Sequence, residues 1–559
     1  MRVLTTHVLV IGSGAAGMRA ALEARRAGSE VLLICKRRLG RSGNTVVAVT
    51  NFAAYVPGVF PEDSVEAFIH DTMAGGRYIN RHDLVETLAN ESGRRVMELE
   101  QWGVQFFTRN GRLAPTQSPG HSFPRSYRLD TSQQPPNLSG LALTNPLAAA
   151  CRKAGVCVLE NMVVIDFLVD GQQVIGALAF DRQRQEFLAV ASPTIVLAGG
   201  GGTALFKRHN NTTDLSADSY ALALRAGLEL VDLEFVQFFP TMVFRPLRLT
   251  METTMFGFGA VLRNCAGEAF MHRYDPVRGN MATRDTMVAA IFNEVREGRG
   301  VEDGVWLDCR EMGARLDERY GHLVKSLADK GIDLHREPVI VTPAAHHIMG
   351  GVVIDPETRT DLAGLFVAGE AAGGVHGANR LGGNALTETQ VFGARAGLAA
   401  AGVNRQPKTQ IVLELAKEQL NKLPPAGSGR GNEVAAQLRQ RIKEIVWKRV
   451  AVGCEEAGLL AARTELELLA DEWSDSRPQD NAVFLPWWEV GNLLLTARAM
   501  VEASLCRRES RGSFIRLDFP QEDHNWLGNV FLRYDGGQIK SRFQPLPKPL
   551  ELLSEGGTG

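Results

Sequence analysis

One run near the start of the chain constrains its fold more than any other: Val8-Leu9-Val10-Ile11-Gly12-Ser13-Gly14-Ala15-Ala16-Gly17. Four aliphatic residues in a row read as a strand buried on both faces. Residues 15–27, rich in alanine, read as a helix ending near Gly28, and Val31-Leu32-Leu33-Ile34 reads as a second strand. In such a strand–helix–strand unit the three glycines do different work. One permits the tight turn, one lets backbone N–H groups approach a pyrophosphate, and one lets helix and strand pack closely. The helix N-terminus then turns its partial positive charge toward the anion. An acidic residue is expected near position 35 to hold a ribose hydroxyl. Cys35-Lys36 stands there instead, so a plain NAD site does not fit.

At 559 residues the chain is too long for one ordinary core, and two to four domains are expected. A formal net charge of -2 gives no electrostatic footprint for nucleic acid or a membrane surface. The seven cysteines, at 35, 151, 157, 265, 309, 454 and 506, include no Cys-x-x-Cys pair. That spacing argues against a disulfide framework, a zinc site or an iron–sulfur cluster carried by this chain. No apolar run approaches the roughly 20 residues that cross a bilayer, and a strand starting at about residue 7 leaves no signal peptide. A cytoplasmic protein is expected.

Farther along, a β-rich stretch over 156–198 ends in Thr194-Ile195-Val196-Leu197-Ala198-Gly199-Gly200-Gly201, a buried strand followed by a glycine turn. Residues 236–345 are mixed and glycine-interrupted, as in an inserted domain. Strand, turn and small-residue helix return over 346–402. Prolines and glycines mark a linker at 422–432. Residues 433–508 carry leucine and alanine at helical spacing, and roughly the last 45 residues read as a polar docking tail.

Five motifs in this order resemble the flavoprotein subunit family of succinate dehydrogenase and fumarate reductase, which includes L-aspartate oxidase. They are the N-terminal glycine loop; Leu233-Glu234-Phe235-Val236-Gln237-Phe238-Phe239-Pro240-Thr241; His346-His347-Ile348-Met349-Gly350-Gly351; His376-Gly377-Ala378-Asn379-Arg380-Leu381-Gly382-Gly383-Asn384-Ala385-Leu386; and Arg-Glu-Ser-Arg-Gly-Ser-Phe-Ile-Arg-Leu-Asp at 508–518. The resemblance implies an α/β protein with a split Rossmann-like FAD-binding domain (1–235 and 346–420), an inserted α+β capping domain (236–345), a C-terminal helical domain (433–510) and a terminal segment (511–559).

For FAD the resemblance implies Gly12, Ser13, Gly14, Ala15, Ala16 and Gly17 at the pyrophosphate. Cys35, Lys36, Ser42, Gly43, Asn44, Thr45, Ala198, Gly199 and Gly200 line the rest of the site. Asp218 and Glu370 are carboxylate partners for sugar hydroxyls, with helix capping or solvated charge as the competing reading. Arg380, Asn384, Ala385 and Leu386 approach the flavin ring. The family segment Arg-Ser-His-Thr reads Arg41-Ser42-Gly43-Asn44-Thr45 here, and without that histidine the FAD is expected to be non-covalent.

The substrate pocket departs from the family. Arg284 matches its proton-transfer arginine, and His346 and Arg380 match its carboxylate-binding pair. Yet Gln-Phe-His-Pro-Thr has become Gln237-Phe238-Phe239-Pro240-Thr241, and Phe256 falls where Thr-Glu-x-x-Arg-Gly has arginine. A dianion that loses buried cationic partners loses several kcal/mol of binding. Phe239 and Phe256 therefore point to a larger or less charged substrate than fumarate, unless both are core aromatics. The implied reaction is hydride transfer between FAD and a carbon beside a carboxylate or carbonyl that His346 and Arg380 polarise. Arg284 moves the proton, with Glu252 as a relay candidate; an ion pair of Arg284 with Asp285 or Glu252 is the competing reading. His347 reads as a packed or surface histidine. Electrons are expected to pass to a separate iron–sulfur subunit. An aspartate-oxidase-like enzyme using oxygen, and an electron conduit with a decayed pocket, are the alternatives.

Overall fold

The computed structural model describes residues 1–135, 138–424 and 431–546. Its centre is a parallel sheet in the order Leu365–Val367, Thr194–Leu197, Val8–Ile11, Val31–Ile34, Cys157–Leu159. All four residues of each of the strands Val8–Ile11, Val31–Ile34 and Thr194–Leu197 are buried, as a sheet covered on both faces requires. Helices Ala15–Arg26 and Asn384–Ala401 pack against one another over this sheet. Small residues set their separation: a Cβ at Gly397 would lie 2.2 Å from the Ala20 carbonyl oxygen. The segments around these helices, distant in sequence, thus share one core.

A second sheet carries the strands Arg2–Thr5, Glu186–Ala191, Gln173–Asp181 and Met162–Asp170. The first of these precedes the strand expected to open the fold, and it pairs in parallel with Leu188–Ala191. The capping unit has a five-stranded sheet, Leu249–Thr250, Val236–Val243, Val339–Ile348, Val305–Asp308 and Val261–Arg263. Helices Arg284–Arg296 and Ala314–Ala328 complete a separate core that runs from Val243 to Val341. Strands Val236–Val243 and Val339–Ile348 pair along their length and carry the chain into and out of this unit.

Helices Gly431–Arg449, Glu456–Asp475 and Phe484–Cys506 form the C-terminal bundle, with Trp473 and Trp487 stacked at 4.6 Å. The segment after it, expected as a polar tail with a poor core, is ordered into strands. Strands Gly528–Asp535 and Gln538–Pro545 form a hairpin, turned at Gly536 and Gly537 with φ of 57° and 84°. Gly528–Asp535 also pairs with Leu230–Val231, so the hairpin joins a sheet with Gly351–Val352 from far upstream in the chain. The central part of the expected linker, 425–430, and the end of the terminal segment, 547–559, lie outside the described residues. Among the described residues no helix is long and apolar enough to cross a membrane.

Candidate active site

A cavity of about 1730 Å³ runs from the glycine turn at Gly12–Gly14 to the inner face of the capping unit. Its first half is built by the ends of the parallel strands. Gly12 has φ of 105°, and a Cβ there would lie 2.3 Å from the Ala198 carbonyl oxygen, so only glycine fits between these strand ends. Gly17 does not face the cavity. A Cβ on it would meet the Gly12 carbonyl oxygen at 1.9 Å, which gives this glycine the packing role.

The N-cap of helix Ala15–Arg26 is Gly14, which has no side chain to cap it; the Ala15 N–H donates to Thr45 Oγ1 at 3.1 Å, and Ala16 follows at the cavity wall. Ser13, Gly14, Ala15 and Ala16 line that wall, as do Gly199 and Gly200 from the next strand end. Lys36 also lines it, held by Asp218 at 3.0 Å and Glu489 at 2.6 Å. Asp218 accepts further hydrogen bonds from Ser216 and from Asn492 of the helical bundle. Cys35 is turned away, its buried thiol donating to the Arg37 carbonyl and pushed up to about 12 by burial.

Glu370 lies midway along the cavity. It accepts from Asn44 Nδ2 at 3.0 Å and from the Ile348 N–H at 3.2 Å, and burial pushes its carboxyl up to about 7. Ser42, Gly43, Asn44, Thr45, Ala198, Ala385 and Leu386 border the same stretch. Asn384 is fully buried just behind it, donating to Thr72 Oγ1 at 3.2 Å. Three buried oxygens of cavity-lining residues, Asn44 Oδ1, Asn51 Oδ1 and Ser219 Oγ, have no protein partner among the described residues. A glycine turn leading into a helix start at the cavity wall, a buried carboxylate and partnerless polar atoms together fit a dinucleotide carrying hydroxyl groups.

The second half of the cavity brings Arg284, His346, Arg380 and Phe239 together. Arg284 is the first residue of helix Arg284–Arg296, and its guanidinium carbon lies 5.0 Å from the Phe239 ring centre. The His346 ring stands 5.9 Å from the same phenyl ring. Arg380 is buried and held by Gln237, whose Oε1 accepts from Nη2 at 2.8 Å; its Nε has no partner. Among the described residues neither Arg284 nor Arg380 forms an ion pair, so the competing pairing of Arg284 with Asp285 or Glu252 does not occur. Burial lowers both guanidiniums, and the nearby Arg284 charge adds to the fall of Arg380 to about 10. Burial, then Arg380 and Arg284, hold His346 well below the usual histidine range, so its imidazole is neutral.

Other expected residues fall elsewhere. Phe256 packs in the core of the capping unit, while Phe258 from the same 3-10 turn faces the cavity. Glu252 lines the cavity beside His322 at 3.9 Å and makes no ion pair with Arg284. His347 is buried beside Glu370 at 3.7 Å. Motif reading missed Gln237, which orients Arg380, and Asn210, whose side chain meets His346. Gln237 lay inside a quoted motif, whereas Asn210 followed the glycine turn with no signal beyond the adjacent Asn-Asn pair.

The family description "FAD binding domain" matches residues 7–386, and "Fumarate reductase flavoprotein C-term" matches residues 439–550. The chain is 36% identical to one of the subunits of the fumarate reductase (CoM/CoB) of Methanothermobacter marburgensis, over 94% of this chain and 96% of that protein. It is 31% identical to the L-aspartate oxidase of Streptomyces coelicolor, covering 95% and 92%. Among solved structures, the FrdA chain of a mutant E. coli quinol fumarate reductase superposes with a TM-score of 0.89 at 26% identity, covering 98% of this chain and 97% of that one.

Proposed function

The chain belongs to the FAD-dependent fumarate reductase and succinate dehydrogenase flavoprotein family, and on that premise we propose that its substrate is not simple fumarate but a compound with one carboxylate or carbonyl beside the reacting carbon. One observation carries this reading: Arg284 and Arg380 share a cavity wall without an ion pair, and Phe239 stands against Arg284 and His346. A buried and a half-buried cation without counterions call for an anion. A phenyl ring where relatives of this motif keep a histidine leaves room and hydrogen bonds for one carboxylate rather than two.

Bound non-covalently, FAD supplies hydride transfer at its ring. The protein residues do the rest. Arg380, oriented by Gln237, binds the carboxylate, and the charge-assisted contact relieves its desolvation. Arg284, its pKa lowered by burial, exchanges a proton with the reacting carbon. His346 stays neutral at the polar end of the substrate. Glu252 is not paired with Arg284, and no proton is routed through it. Phe239 and Phe258 give the cavity an apolar wall beside the charged groups.

No cluster of residues able to hold a metal occurs among the described residues, and the likeness to one component of a multi-subunit reductase supports electron exchange with a separate iron–sulfur protein. Anaerobic titration of the reduced holoenzyme with enoates tests the reading. Reoxidation of the flavin by a mono-carboxylate enoate is the expected result, with about a hundredfold or greater loss in Arg284→Lys at full FAD content. Turnover within a few-fold of the parent enzyme removes Arg284 from its role. Stoichiometric peroxide during aerobic turnover favours the oxidase alternative.

A further inference from the structure

The ring and the backbone of His346 are both gripped by one short segment. Asn210 Oδ1 lies 3.0 Å from His346 Nδ1. Asn211 Nδ2 donates to the His346 carbonyl at 2.6 Å and to Thr203 Oγ1 at 2.8 Å. The backbone completes the grip, because the Asn210 N–H donates to the Ala345 carbonyl and the Ala345 N–H to that of Arg208. Such a clamp fixes where the imidazole points. It also fixes where its hydrogen sits.

With its amide oxygen set toward the ring, Asn210 can only accept, which places the hydrogen between them on His346 Nδ1. A neutral imidazole has one ring hydrogen, and with Nδ1 protonated, Nε2 is left as an acceptor. Burial, with the charges of Arg380 and Arg284 added, holds the ring well below the usual histidine range and keeps off a second proton. A carboxylate oxygen set against Nε2 would face lone pair with lone pair. A hydroxyl or an amide N–H would donate to it.

Resting on the function proposed above, we infer that Asn210 is a positioning residue that holds His346 as its Nδ1–H tautomer and thereby selects an acid whose second polar group donates a hydrogen bond. The substrate then carries one carboxylate for Arg380 and, at the His346 end, a hydroxyl or a primary amide. Phe239 is consistent with this division, since it offers no charge to a second carboxylate. The selection is made by hydrogen count and not by size.

Succinate and succinamate make the test, because they are nearly the same shape and differ in whether one end accepts or donates. Binding is read from the perturbation of the flavin spectrum in the oxidised holoenzyme, without turnover. Succinamate is expected to bind about tenfold or more tighter than succinate, the cost of setting an unpaired acceptor against a buried acceptor. Asn210→Asp places a carboxylate on Nδ1–H, favours the doubly protonated ring, and turns Nε2 into a donor; it should reverse the preference toward succinate. Asn210→Leu removes the acceptor and should bring the two ligands within about threefold. Retained FAD reports that each variant is folded, and nitrogen-15 spectra of labelled histidine, compared with His346→Gln, report which ring nitrogen carries the hydrogen. Equal or tighter binding of succinate by the parent enzyme, a ratio unmoved by Asn210→Asp, or a hydrogen on Nε2 overturns the inference while leaving the anion pocket standing. If neither compound perturbs the flavin, the proposed function falls and takes the inference with it.

Discussion

Phe239 shows how one side chain redirects an inherited pocket. Its ring contacts the Arg284 guanidinium face and the edge of His346, filling space with a group that can neither donate nor accept. Phe239→His returns a hydrogen-bonding group to the wall, and succinate affinity, read by flavin perturbation, should rise about tenfold. Unchanged affinity would show that the ring is not in the path of a second carboxylate. Glu370 gives a pH signature. Burial lifts its carboxyl to about 7, above its ordinary value, so the apo fold gains from the protonated form at low pH and loses that gain as pH rises toward 7. A sugar hydroxyl donating to the carboxylate prefers the ionised form, so FAD affinity should climb through the same interval and level off above it. Glu370→Gln should flatten the curve of FAD affinity against pH. His346 and Arg380 were legible in the sequence because each sits in a motif whose neighbours fix its alignment, whereas Arg284 was reached only by its match to the family's arginine. Phe256 and Phe258 were not distinguishable, because the winding of a 3-10 turn decides which of two nearby rings meets the cavity.

The strand–turn–helix at the N-terminus is the element on which cofactor retention depends. At Gly12 the positive φ and the 2.3 Å approach to the Ala198 oxygen leave no place for a methyl group. Gly12→Ala must push apart the ends of strands Val8–Ile11 and Thr194–Leu197, which are paired residue for residue up to that point. The purified variant should carry little FAD, read as the ratio of flavin to protein absorbance. A normal ratio would mean that the pyrophosphate turn tolerates the shift. This element was readable from sequence because strand, glycine turn and helix are consecutive, so local pattern and final structure coincide. Two others were hidden for the converse reason. Arg2–Thr5 is a short, half-buried strand whose partner begins at Leu188, and nothing in its own pattern announces the pairing. The strand Gln538–Pro545 is mostly exposed and polar, and its hairpin is anchored through Leu230–Val231, about 300 residues upstream. Long-range partners supply what such strands lack in local signal.

At the scale of the molecule, the C-terminal segment locks onto the flavin domain through a buried charge cluster centred on Arg507. Its guanidinium donates to Glu234 at 2.6 Å, to Glu509 at 2.9 Å and to the Gly528 carbonyl at 2.9 Å, with Asp232 at 3.5 Å. Asp232 and Glu234 immediately precede the strand Val236–Val243 that enters the capping unit. One arginine therefore ties the end of the helical bundle and the start of the hairpin to the root of the cap. Burial pushes both carboxyls up, and the positive charge of Arg507 is the chief force opposing that rise. Arg507→Met leaves the acids buried without their cation, a loss of about 3–5 kcal/mol at neutral pH for a broken buried pair. The acids can escape part of that penalty by taking up protons. Their folded-state pKa values then lie farther above the unfolded ones, so the stability tied to protonation is full below the unfolded values and disappears as pH rises through the folded ones. The difference in melting temperature between parent and variant should consequently be small at pH 5 and large at pH 8. A difference of equal size at both values would mean that the cluster holds the domains by packing alone, and that its charges play no part in seating the cap above the flavin.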